Sequence, residues 1–169
     1  MMRVLPRQMA LVIRHALLTG LRPSEACESV RLLRVSQDSR ESYYNPERQM
    51  LQHYLYPEIF LGATKKAYIS YITLDNLQRI RLLGPNTPTP TWNSIRSACK
   101  RRGIKMNMCL CRRIFASWLI QSGIDSNTVD MLSGRVPSSV LARHYQTPDL
   151  SLGQRVLAAV DKLQKEIEK

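Results

Sequence analysis

Acidic side chains are scarce in this 169-residue chain: 13 Asp and Glu stand against 25 Lys and Arg, giving a formal net charge of +12 and a pI near 10.0. That imbalance argues against an ordinary small-molecule enzyme and points to an anionic partner, either nucleic acid or an acidic membrane surface. Long apolar runs are missing as well. None approaches the about 20 residues that span a bilayer, and the N-terminus lacks the basic, apolar and small-residue succession of a secretory signal. A soluble, intracellular protein is therefore expected. There are three histidines, His15, His53 and His144, and the four cysteines, Cys27, Cys99, Cys109 and Cys111, form no C-x-x-C pair. This spacing argues against a zinc site or a disulfide framework and leaves free thiols, buried or half-buried, as the expectation. Paired-carboxylate metal motifs, glycine-rich phosphate loops, internal repeats and low-complexity stretches are absent too.

What is present is an ordinary globular composition, 44% hydrophobic and 22% charged, so the positive charge belongs to a folded body. The length suits one compact domain. Residues 6–19 place Met9, Val12, Ile13, Ala16 and Leu17 at helical spacing, with Pro6 in the first turn and Gly20 as the stop. A second helix begins at Pro23-Ser24-Glu25 and turns Val30 and Leu33 inward, which holds Arg22 in a tight inter-helix turn. Residues 36–57 read as loop, short helix and loop. The run Ile59 to Leu74 is rich in β-branched and aromatic residues and is broken at Gly62-Ala63-Thr64, predicting a hairpin with Lys65 and Lys66 at its turn. Beyond it, helical segments follow around residues 73–84, 91–103, 109–123 and 125–134, with a short piece at 138–145 and a last helix from Leu150. That last helix carries Val156, Leu157, Val160, Leu163 and Ile167 on one stripe, to cover either its own core or a neighbour's. The expected class is mainly α with a small β-hairpin or sheet.

Four motifs succeed one another: T-G-L-R-P-S-E at 19–25, C-R-R-I-F-A-S-W-L at 111–119, L-S-G-R at 132–135 and H-Y at 144–145. Each is weak alone, but in this order and spacing the chain resembles the catalytic domain of tyrosine recombinases, the phage-integrase family, over nearly its whole length. The resemblance implies that Arg22 contacts the scissile phosphate. A planar, permanently charged guanidinium suits that task, because it can hold two non-bridging oxygens as charge builds on them. On composition alone Arg22 is equally an exposed turn arginine.

Matching Phe115-Ala116 to the family's second box puts its arginine at Arg112, with Arg113 as the alternative, and its usual histidine at Cys109. A thiol cannot be a cationic phosphate ligand, so one acid–base group of the family is missing there, and Lys105, four residues earlier, is a candidate substitute. The third box, commonly Leu-Gly-His, here ends in Arg135, which keeps a hydrogen-bond donor and adds a fixed charge. The nucleophile falls on Tyr145. A phenol, with a pKa of about 10, is barely ionised at neutral pH and needs nearby cations to attack phosphorus. By the same resemblance Lys65, with Lys66 next in line, protonates the leaving 5′-oxygen. Glu25 either orients an arginine or caps the second helix. His144, beside Tyr145, is a candidate phosphate contact.

The resemblance further implies cleavage through a 3′-phosphotyrosyl link and a Holliday junction without metal, ATP or other cofactor, on double-stranded DNA attachment sites. It implies a homo-tetramer on DNA, weakly associated or monomeric without it, and no membrane partner. Since the family carries an N-terminal DNA-binding domain ahead of its first arginine and about twenty residues precede Arg22, the chain is expected to be the isolated catalytic domain. Cys109 and Arg135 are compatible with a divergent integrase of archaeal viruses or plasmids. Two rivals remain: a DNA-binding relative that has lost turnover, and a type IB topoisomerase-like relaxing enzyme. An RNA-binding module is more distant, since no aromatic-rich RNA-recognition motif is present.

Overall fold

Apolar side chains occupy nearly every face of the first helix, α1 (Arg7–Thr19), and a helix apolar all round has to be enclosed. In the computed structural model, which describes residues 4–35, 38, 41–62, 65–135 and 150–169, nine of its thirteen residues are buried. Helix α2 (Pro23–Val35), α4 (Leu74–Arg81), α6 (Met108–Gln121) and the C-terminal helix (Leu150–Glu168) all pack against it, α6 most extensively. The remaining described helices are the single turn α3 (Pro57–Phe60), α5 (Trp92–Arg101) and α7 (Ser126–Leu132).

The helix starts are written in the sequence. Thr73, Thr91, Asn107 and Asp125 each sit in extended backbone one residue before a helix, and each side chain accepts a backbone N–H of the first turn. That satisfies donors which a helix N-terminus otherwise leaves unpaired.

Two apolar clusters result. One joins Val12, Ile13 and Ala16 of α1 to Val30 and Leu33 of α2, Tyr43, Phe60, Ile80 and Ile95. The other joins Leu18 to Phe115 and Leu119 of α6, Val129 and Leu132 of α7, and Val156, Val160 and Leu163 of the C-terminal helix. The stripe on the C-terminal helix thus covers its own domain, with Leu157 and Ile167 at the margin of the same cluster. Arg14, only 3% exposed, pins three elements: its Nη2 reaches Asp75 of α4 at 2.9 Å and Glu168 of the C-terminal helix at 2.6 Å. No helix among the described residues is long and apolar enough to cross a membrane.

The sheet departs from expectation. The short helix expected in residues 36–57 is the 3₁₀ turn His53–Leu55, but the same stretch also holds two strands, β1 (Tyr44–Asn45) and β2 (Met50–Gln52), which with β5 (Ile69–Tyr71) make an antiparallel sheet in the order β1-β2-β5. Strands of two and three residues are too short to display alternation, and Pro46 in the connection reads as a loop. The predicted hairpin is divided. Ile59 and Phe60 belong to α3, while β3 (Leu61–Gly62) and β4 (Lys65–Lys66) form a separate antiparallel pair. Lys65 and Lys66 therefore lie on a strand rather than at the turn.

Between the helices and the sheet runs a buried row of polar groups. Asn76 Nδ2 is 3.2 Å from His15 Nδ1, His15 Nε2 is 2.8 Å from Ser29 Oγ, and Ser29 Oγ is 2.7 Å from the Tyr43 hydroxyl. Tyr43 in turn reaches His53 Nδ1 at 3.0 Å, and His53 Nε2 reaches Ser70 Oγ at 2.9 Å. With Tyr43 donating to Ser29 Oγ, a proton on Nε2 of His15 and on Nδ1 of His53 lets every link form, so both rings are satisfied while neutral. Complete burial pushes the pKa of each histidine down to about 3.

Two predictions follow from this packing. Unfolded histidine takes up a proton near pH 6.5 whereas His15 and His53 refuse it until about pH 3. The unfolded state thus binds more protons in that window, and stability is expected to fall as pH drops from about 6.5 toward 3. Urea midpoints at pH 7.5, 6 and 5 measure this, with up to about two protons taken up on unfolding. Gly20 has φ +70, and a Cβ there would lie 2.4 Å from the Phe115 ring. Gly20→Ala is expected to destabilise by about 2–4 kcal/mol, combining left-handed backbone strain with overpacking. Phe115→Leu in the same chain should recover the steric part.

Candidate phosphate-binding site

The turn between α1 and α2 is three residues long. Gly20 ends α1 in the left-handed conformation and donates its N–H to Ala16 O at 3.0 Å. Leu21, 1% exposed, then plugs the core and leaves Arg22 at the entrance to α2. Glu25, in the first turn of α2 and 5% exposed, accepts the Arg22 backbone N–H at 2.8 Å through one carboxylate oxygen. Its other oxygen accepts from Arg22 Nη1 at 3.0 Å. Glu25 therefore does both things read from the sequence: it closes the helix start and holds the guanidinium.

Helix α6 brings the second group. Asn107 caps it by accepting the Cys109 N–H at 3.0 Å. Three and four residues on, Arg112 and Arg113 share the face of Cys109, because residues at that spacing stack on one side of a helix. Cys111, Phe115 and Leu119 are buried and anchor the helix on the core. Cys109 is exposed, in contrast to the buried Cys27, Cys99 and Cys111.

The third group follows α7. Gly134 has φ +62, and a Cβ there would lie 2.8 Å from Ala67 N, so only glycine lets the α7 turn approach the β4 strand this closely. The Lys66 N–H donates to Gly134 O at 3.1 Å, which fastens that strand beside Arg135. Arg135 itself is held by Asp130: its N–H donates to the Asp130 carbonyl at 2.8 Å and its Nη1 to the carboxylate at 3.1 Å.

These three pieces meet. Leu21, Arg22, Pro23, Cys109, Arg112, Arg113 and Arg135 line one open pocket of about 220 Å³. Inside it Arg112 is half-buried, and its Nε has no hydrogen-bond partner among the described residues. Burial depresses the Arg112 pKa, and so do the charges of Arg22 and Arg135, while Glu25 acts the other way. An arginine in that state gains from any anion that enters. Four guanidiniums around a concave surface can engage several oxygens of one tetrahedral phosphate at once.

Of the residues read from the sequence, Arg22, Cys109, Arg112, Arg113 and Arg135 come together. Lys66 is exposed on the strand tied to Gly134, and Lys65 is placed in that strand by its backbone pairing with Gly62. Lys105 is exposed and does not line the pocket. Tyr145 and His144 lie outside the described residues. Sequence reasoning missed Asp130, because an acid five residues before an arginine and across a glycine carries no helical signal. Comparison with family models, curated proteins and solved structures finds no match for this chain.

The partnerless Arg112 Nε and the like charges of Arg22 and Arg135 around it predict that an oxyanion stabilises the fold. Sulfate or phosphate at tens of millimolar is expected to raise the thermal midpoint by several degrees through binding to the folded state alone. In Arg112→Met the gain should disappear while stability without anion stays level or rises, since a crowded cation has been removed. Thermal scans of both proteins with and without anion, at matched ionic strength, check this.

Proposed function

We propose that the chain is the catalytic domain of a site-specific DNA recombinase of the tyrosine type, one that cleaves and rejoins DNA strands through a covalent protein–DNA link. The observation that carries this reading is the convergence of Arg22, Arg112 and Arg135, from three separate elements, on one open pocket. A mainly helical domain with a small antiparallel sheet agrees with the fold that the resemblance implies.

In the proposed reaction the arginines bind the non-bridging oxygens of one phosphodiester and stabilise the charge that develops on them. The Tyr145 oxygen attacks phosphorus as its proton passes to water. A P–O bond to tyrosine forms, and the P–O5′ bond breaks. The departing 5′-oxygen takes a proton, for which Lys65 and Lys66 are the candidates. The bond to tyrosine conserves the energy of the phosphodiester, and a 5′-hydroxyl from a partner strand reverses the step. Four copies on two DNA duplexes would carry out a full exchange.

Cys109 favours a second reading. With an exposed thiol where the family has an imidazole, the pocket can hold DNA and yet fail to turn over.

Incubation with a nicked suicide duplex containing a genuine attachment site separates the two. An SDS-resistant adduct is expected, absent in Tyr145→Phe and reduced about 10²–10³-fold in Arg112→Ala, the usual loss when one oxyanion donor is removed. Tight binding with no adduct would favour the non-catalytic reading.

A further inference from the structure

The charge of this protein is unevenly distributed along its chain. Between Asp75 and Asp125 there are nine Lys and Arg and no Asp or Glu. That span contains α5, the loop after it and the whole of α6.

Helix α5 buries Ile95, Ala98 and Cys99 and turns its other face outward. On that face and in the following loop Arg96, Lys100, Arg101, Arg102 and Lys105 are all exposed. None of the five has a carboxylate within ion-pair distance among the described residues, and Arg102 makes only one long bond, 3.4 Å, to the Ala98 carbonyl. Several cations elsewhere are neutralised: Arg31 by Glu28, Arg79 by Asp75, Arg81 by Asp38, Lys165 by Asp161 and Lys169 by Glu166. A surface that keeps five uncompensated charges together is under self-repulsion, which a polyanion relieves.

The patch also leads to the pocket. Cys109 follows Arg102 by seven residues, a reach of at most about 25 Å of extended chain. At about 3.4 Å per base pair that is a little over seven base pairs.

We infer that α5 and the loop through Lys105 form a backbone-tracking surface, which holds the duplex flanking the phosphate in the arginine pocket through its phosphates and without regard to sequence. This rests on the reading of the pocket as a DNA site. Flexible lysines and arginines presented in a row, with no carboxylate to orient them, suit phosphates, which position a protein without specifying bases. Releasing the counterions condensed on about five phosphates should dominate the salt dependence of binding.

The test is fluorescence anisotropy with two labelled 30-base-pair duplexes of unrelated sequence, titrated between 50 and 300 mM salt. In the variant with Arg96, Lys100, Arg101, Arg102 and Lys105 all changed to Gln, the slope of log K against log salt is expected to shrink by about 4–5 for both duplexes. Affinity at 100 mM should fall at least about 100-fold. A control with Lys162, Lys165 and Lys169 changed to Gln should shift the slope by less than about 1. A patch variant with the wild-type slope, or a control that loses as much, overturns the inference, as does a loss confined to one duplex.

In the wild-type protein, bound duplex should also protect Lys100 and Lys105 from acetylation more than Lys162 and Lys165, and equal labelling would likewise overturn it. This readout needs no variant to fold. Adduct formation is scored separately: its absence sinks the proposed reaction while leaving the salt slope to decide the surface.

Discussion

Phe115 lies where a side chain at position 20 would have to be, and the approach of α1 to α6 rests on that contact. Gly20 precedes Arg22 by two residues, and Phe115 follows Arg112 by three, less than one helical turn. A single close packing therefore sets the distance between two arginines that are ninety residues apart in sequence. The glycine serves twice, through its left-handed backbone and its missing Cβ, so no other residue can close α1 and admit the ring. A second glycine repeats the device: Gly134 lets α7 dock against the β4 strand and sets Arg135 beside Lys66. The site is assembled by backbone proximity at two points, and its cations arrive as passengers on rigid elements.

Such an arrangement concentrates like charge where the core would be better without it. Among the described residues Glu25 is the one buried carboxylate, beside the pocket, and both its oxygens are committed to Arg22. Arg112 receives only its longer-range field and keeps a buried Nε with no partner among those residues. Buried donors are normally satisfied, and those that are not tend to mark places where another molecule completes the set. The other arginines of the fold show how pairing is done when charge is structural. Arg34 spends its guanidinium on Gly84 O, Pro85 O and Thr89 Oγ1, and Arg14 sets its Nη2 between Asp75 and Glu168, although its Nε too is buried with no partner among the described residues.

Helix positions were legible in the sequence because local chemistry determines them. Polar caps at Thr73, Thr91, Asn107 and Asp125 and a glycine stop at Gly20 are short-range signals. The place of Arg22 was legible for the same reason. Strands β1 and β2 were not, because strands of two and three residues carry no pattern of their own, and β2 takes its second partner from β5, about twenty residues away. The hairpin carrying Lys65 and Lys66 was anticipated, while its separation from the three-stranded sheet was not, since that depends on α3 taking up Ile59 and Phe60. The approach of Gly134 to Ala67 is a tertiary fact with no local trace, whereas Asp130 meets Arg135 through the local turn that Gly134 makes at the end of α7. Cys109 was visible as a departure from a pattern, but its exposure beside four arginines becomes evident only in three dimensions.

The buried row from Asn76 to Ser70 has an effect well beyond the core. It withdraws His15 and His53 from titration above about pH 3 and leaves His144 as the single other imidazole in the chain. Nearly all the positive potential of the surface consequently resides in arginine and lysine, whose charge is constant across the physiological range. Acidification and alkalinisation of the surroundings pass almost unregistered by such a surface. A polyanion held on such a surface would respond to the concentration of competing ions far more than to protons.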